Sequence, residues 1–188
     1  MAIYLTFSLF SFYLLSNFLT IATNWIFSEQ IANAKVTNRM EKMTHLHFYF
    51  HDSINGENAT SAIIAAPTDK RFAGGFGTTM IMDDPLTEGA DLSSRLVGRS
   101  QGMYALASQH EVGLLMVTNF AFLEGKYNGS TLSILGRNLV SDTVREMPIV
   151  GGSGLFRFAR GYVLAKTFSF SQKAGVAVVE YNVYVVHY

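Results

Sequence analysis

A chain of 188 residues, 49% hydrophobic and 15% charged, has room for one domain with a substantial core, which excludes a multi-domain reading. Its 14 basic and 14 acidic side chains balance, so no electrostatic case for nucleic acid arises, and 13% aromatic residues point to an apolar or aromatic partner. With no cysteine, neither a disulfide staple nor a thiol nucleophile is available.

The charges are unevenly placed. Residues 1–28 carry none, and the first two are Glu29 and Lys35. Residues 3–27 are apolar and are followed by Ala32-Asn33-Ala34, the small-x-small pattern that signal peptidase cuts. Residues 1–34 are therefore expected to be a signal peptide, cleaved between 22 and 34, which leaves one domain over 35–188. The length of the stretch and its lack of a basic n-region are also those of a signal anchor, but Ser11, Ser16, Asn17, Thr20, Thr23 and Asn24 interrupt it. In a secreted chain, Asn58-Ala59-Thr60 and Asn128-Gly129-Ser130 are N-glycosylation acceptors, which places Asn58 and Asn128 on exposed loops.

After a short polar arm at 35–43, period-2 alternation dominates and no long helical stripe occurs. It predicts strands at 44–52, 60–66, 76–82, 98–107, 112–123, 129–136, 154–168 and 175–187. Turn chemistry separates them at Asn55-Gly56, Gly74-Gly75, Asp83-Asp84-Pro85, Tyr127-Asn128-Gly129 and Gly151-Gly152-Ser153-Gly154. The expected fold is all-β, an eight-stranded antiparallel barrel whose interior holds one small ligand.

In the first strand Leu46, Phe48 and Phe50 form an apolar face, while His45, His47, Tyr49 and His51 face solvent or a partner. Asp52 has the apolar parity. If the strand reaches it, a carboxylate ends an inward row, where desolvation raises its pKa and suits it to acid–base work. If the strand has ended, Asp52 starts the Asn55-Gly56 turn. His45-x-His47 followed by an acid has the look of a metal site, but the two histidines share one face and Asp52 takes the other, so surface histidines are expected. Gly136-Arg137-Asn138 and Val144-Arg145-Glu146 flank a loop in this reading, and Arg145 by default pairs with Glu146 or Asp142 in solvent. The Gly151–Gly154 run reads as a sharp turn. No nucleophile elbow and no redox cofactor motif is present.

Five ordered blocks resemble the plant dirigent family over nearly the whole mature chain: His47–Asp52, Asp83–Thr87, Gly98–Gly102, Tyr127–Leu132, and Arg145–Gly154 with Phe158–Gly161. The resemblance implies an eight-stranded antiparallel barrel of the dirigent and allene oxide cyclase-like kind, assembled as a trimer or dimer and secreted to the apoplast. It implies phenolic substrates, phenoxy radicals or quinone methides made by a separate oxidase such as a laccase or peroxidase. It implies control of the stereochemistry of coupling or cyclisation with no oxidising centre and no cofactor of its own. Matched to lignan-forming members, the implied catalytic positions are Asp52 and Arg145 and the implied substrate-binding positions Tyr104 and Asn138. Asn138 stands where those members carry an aspartate, and Leu106 where they can carry an aromatic. Gly136-Arg137-Asn138 and the cysteine-free frame are more similar to the subgroup that includes pterocarpan synthase, which dehydrates an isoflavanol through a quinone methide. There Asp52 would be the acid or base that expels water.

Overall fold

A computed structural model describes residues 40–69, 71 and 75–188. The expected signal peptide and Gly74 of the Gly74-Gly75 turn lie outside the described residues. Among the described residues nine antiparallel strands run in chain order: β1 (Lys42–Ser53), β2 (Ser61–Ala65), β3 (Thr79–Thr87), β4 (Leu96–Leu106), β5 (Gly113–Phe122), β6 (Thr131–Leu139), β7 (Arg145–Ser153), β8 (Arg160–Ser171) and β9 (Val176–His187). Each pairs with its neighbour in the order β1-β9-β8-β7-β6-β5-β4-β3-β2, and β1 also pairs with β3. That last pairing closes a ring of eight strands, with β2 as a short ninth strand added to β3.

Closure is narrow. Only Tyr49↔Thr87 and Phe50↔Leu86 join β1 to β3, and beyond them the two strands diverge. β2 fills the gap, pairing Ser61 with Met82, while the Thr60 amide donates to the Ser53 carbonyl and the Asp83 amide to the Thr60 carbonyl. The barrel thus has the predicted eight strands in its wall, but not the predicted eight segments: 60–66 is the extra strand, and 145–153 is a wall strand where the sequence predicts a loop and a turn.

That strand was concealed by Pro148 and by Gly151-Gly152, which mimic loop chemistry. Pro148 is tolerated because β7 pairs with β6 only from Ile149 onward, across a register shift, while residues 145–149 pair with β8. No ladder hydrogen bond to β6 is lost at the proline. Gly151 and Gly152 are strand residues opposite Ser133 and Leu132, and the turn comes later, at the 3-10 segment Gly154–Phe156. The strand predicted from 154 accordingly begins at Arg160. Gly161 is required where β8 meets β9: its φ is +151, and a Cβ there would run into the Tyr184 carbonyl oxygen.

One end of the barrel is filled. Phe48, Phe120, Leu132, Phe156, Val183 and Val185 are fully buried, and Tyr127 stacks on Phe156 at 4.7 Å while its hydroxyl donates to Thr44 Oγ1. This aromatic floor supplies the cross-strand packing that a chain without disulfides needs. The opposite end carries the polar interior.

Candidate functional site

β1 continues through Ser53, so Asp52 keeps the inward parity of Phe48 and Phe50. The Tyr104 hydroxyl, reaching in from β4, donates to Asp52 Oδ2 at 3.0 Å, and Oδ1 is buried without a partner. Burial raises the Asp52 pKa; the hydroxyls of Ser61 and Tyr104 oppose the shift by stabilising the carboxylate. Tyr104 is itself pushed above the usual phenol range by burial and by the Asp52 charge.

A second acid belongs to this site, and the sequence reading missed it. Asp83-Asp84-Pro85, predicted as a turn, lies within β3 opposite Gln101, Ser100 and Arg99. Pro85 fits there because it falls between the stretch of β3 that pairs with β2 and the stretch that pairs with β1, where no donor is needed. Asp84 points inward and is 0% exposed, and neither carboxylate oxygen has a hydrogen-bond partner. Its pKa is raised to about 8, first by burial and then by the charge of Asp52, with the Thr60 hydroxyl and Arg99 pulling it down. The signal was the row Met80, Met82, Asp84, Leu86, which alternates with Ile81, Asp83 and Pro85.

A cationic pole faces this acidic one. Arg145 opens β7, is 4% exposed, and donates from Nε to Asn138 Oδ1 at 3.1 Å and from Nη1 to Thr167 Oγ1 at 2.9 Å. The solvent ion pair with Glu146 or Asp142 expected from sequence is absent: Arg145 turns inward, and no carboxylate of the described residues forms a salt bridge with it. Asn138 is a buried residue of β6 rather than of a loop flank. The two side chains meet across the stretch where β6 and β7 are unpaired. Burial lowers the Arg145 pKa, because a guanidinium is costly to take out of water, and the charges of Tyr181 and Asp142 oppose the shift. From β3 to β7 is four steps round a ring of eight, so Asp84 and Arg145 stand on opposite walls. Tyr181 of β9, buried against Phe48, Phe50 and Phe120, projects between them; burial raises its pKa and Arg145 opposes the rise.

The histidines divide. His45 and His47 are exposed on the outer face and bond to Asn182 Oδ1 and Glu180 Oε1, on the side of the wall opposite to Asp52. His51, expected to face solvent or a partner, takes a partner: it is 6% exposed, with Nε2 2.6 Å from Thr87 Oγ1. Since the Thr87 hydroxyl donates to the Gly89 carbonyl, His51 is the donor in that pair. Leu106 ends β4 half-buried, and Asn58 and Asn128 are exposed in turns.

Compared with known proteins, residues 43–186 match the family model for dirigent-like proteins. Dirigent protein 21 of Arabidopsis thaliana is 50% identical over 169 residues, 89% of each chain. Pterocarpan synthase 1 of Glycyrrhiza echinata is 54% identical over 150 residues, 79% of this chain and 80% of that one. A solved pterocarpan synthase dirigent protein superposes with a TM-score of 0.80 at 50% identity, covering 86% of this chain and 99% of its own.

Proposed function

This chain belongs to the dirigent family, and from that premise we propose that it binds an oxidised plant phenolic inside the barrel and dictates the stereochemistry of its coupling or cyclisation. The observation that carries this is the pair of opposed poles: buried Asp84 and half-buried Asp52, three of whose four carboxylate oxygens lack a hydrogen-bond partner, and across the barrel a buried guanidinium that forms no salt bridge with a described residue. A quinone methide or phenoxy species has a carbonyl-like oxygen that accepts from Arg145 and hydroxyls that donate to Asp52 or Asp84. Holding both ends fixes which face of the reactive carbon is open. A preference of about 1.4 kcal/mol between two such poses gives tenfold selectivity. The oxidant is supplied by a separate laccase or peroxidase.

The Asp52–Asp84 pair favours a second reading, a dehydratase of the pterocarpan synthase type. A carboxylic acid that keeps its proton near neutral pH can protonate a leaving hydroxyl, so that the C–O bond breaks and water departs. The phenol at the other end gives its proton to solvent, and Arg145 stabilises the resulting quinone methide oxygen. A second hydroxyl then adds to the methide carbon, returning its proton to the carboxylate, while the ring oxygen is reprotonated. Asn138 orients that oxygen by hydrogen bonding, and Tyr104 holds Asp52 in place.

Two further features support the setting. Cross-strand partners Ile81, Met103, Val117 and Leu135 form an outward apolar row over β3 to β6, each at least 36% exposed, which suits burial against a second copy in a trimer or dimer. Exposed Asn58 and Asn128 suit glycosylation on secretion to the apoplast. One assay separates the two chemistries. Purified protein given a racemic isoflavanol without oxidase should release a cyclised product for the dehydratase. A dirigent proper should leave it unchanged, yet impose enantiomeric excess on a phenol oxidised by added laccase. Failure of both would reject the interior as the site.

A further inference from the structure

The described residues contain Met40, Met43, Met80, Met82, Met103, Met116 and Met147. Three of them, Met40, Met43 and Met103, are exposed on the outside, and the other four are buried inside the wall. Those four are not spread through the core. Met82 lies two residues before Asp84 on the same face of β3. Met80 is opposite Tyr104, Tyr104 is opposite Met116, and Met116 is opposite Gly136. Gly136 leaves the inner wall bare, and Met147 from β7 fills the space: a Cβ on Gly136 would lie 3.0 Å from Met147 Cβ. Met147 follows Arg145 by two residues on the same face. The thioethers therefore run as a continuous band from the acid pole, past Tyr104, to the cationic pole. The floor below is built from phenylalanine, leucine, valine and Tyr127. A mere gap-filling role would scatter methionine through both halves.

We propose that Met80, Met82, Met116 and Met147 are the surface on which the phenolic ring lies, and that they determine how wide a range of ring substituents this chain accepts. The inference rests on the reading of the barrel interior as the phenolic site. Methionine is unbranched, has three rotatable side-chain bonds and places a polarisable sulfur against aromatic rings. A band of it reshapes around a methoxyl group, where β-branched residues hold one χ1 rotamer and one shape. Directional recognition is left to the two poles, so the ring varies while its polar ends stay fixed.

The test uses the secreted protein labelled with [methyl-13C]methionine, titrated with p-coumaryl, coniferyl and sinapyl alcohols, which carry no, one and two methoxyl groups. The four interior methyl resonances, assigned through single Met→Leu variants, should shift with saturation, and those of Met43 and Met103 should not. By calorimetry, Met116→Ile and Met147→Ile should alter the affinity ratio of sinapyl to p-coumaryl alcohol by about tenfold, the scale at which an apolar pocket discriminates a small group. Met116→Leu, which remains unbranched at Cβ, should leave that ratio nearly unchanged. Binding of the alcohols with unmoved interior methyls, or an unaltered ratio in folded isoleucine variants, overturns the thioether band alone. Absence of binding by all three alcohols overturns the interior as a phenolic site, and this inference with it.

Discussion

Asp84→Asn tests whether the acid pair is a store of protons. Asp84 has an ordinary value of 3.8 and is raised to about 8 in the fold, chiefly by burial. A carboxyl raised on folding stabilises the native state fully below its unfolded pKa. That stability is lost as pH rises from there to the folded pKa, because the unfolded chain ionises first. At about 1.4 kcal/mol per unit, the loss between pH 4.5 and pH 8 comes to about 4 kcal/mol, with no discount for solvent since the side chain is 0% exposed. An asparagine of the same shape does not titrate. Urea unfolding at the two pH values should show Asp84→Asn gaining about 4 kcal/mol on the parent at the higher one. Asp52→Asn should narrow that gap, because the Asp52 charge is one cause of the raised value. Parallel stability curves for parent and variant from pH 4.5 to pH 8 would refute the assignment of a proton-holding acid at Asp84, and with it the dehydratase reading.

Asp52→Asn and Arg145→Ala should each reduce product formation or stereocontrol by about 10²–10⁴ with circular dichroism unchanged; full rate and full enantiomeric excess in both would make these residues structural. Asn138→Asp places a carboxylate against the Arg145 guanidinium and should weaken its hold on a quinone methide oxygen, seen as a raised KM and a changed product ratio on chiral chromatography. Leu135→Lys in the outward apolar row should convert an assembly to monomers in sedimentation velocity, and an unchanged mass would remove that row as the contact. N-terminal sequencing of apoplastic material should begin after residue 22, with sugar on Asn58 or Asn128; an intact Met1 in a membrane pellet would identify a signal anchor.

What could be read before the fold was known depended on whether a residue's parity could be counted to the end of its strand. Asp52 was countable, since Leu46, Phe48 and Phe50 set the phase and only the strand's end was in question. Asp84 was equally countable from Met80 and Met82, but Asp-Asp-Pro is turn chemistry by every local rule. What overrides it is that Pro85 falls at a break in pairing between β2 and β1, a property of three strands distant in sequence. The same physics hid β7, where Pro148 sits just before the pairing with β6 begins. Both prolines therefore mark places where the ladder is interrupted, and in both cases a site residue lies close by, Asp84 beside Pro85 and Arg145 three residues before Pro148. An interrupted ladder leaves room between strands for side chains to meet, as Asn138 and Arg145 do across the β6–β7 gap. The facing of the two poles was illegible for a different reason: it depends on ring order, and local alternation carries no information about which strand lies across the barrel from which. Resemblance supplied Arg145 without its geometry, and could not show that none of the described carboxylates forms a salt bridge with its buried charge. For the proposed function that matters more than the residue's identity, because donors not committed to a carboxylate can be offered to an oxygen of the phenolic.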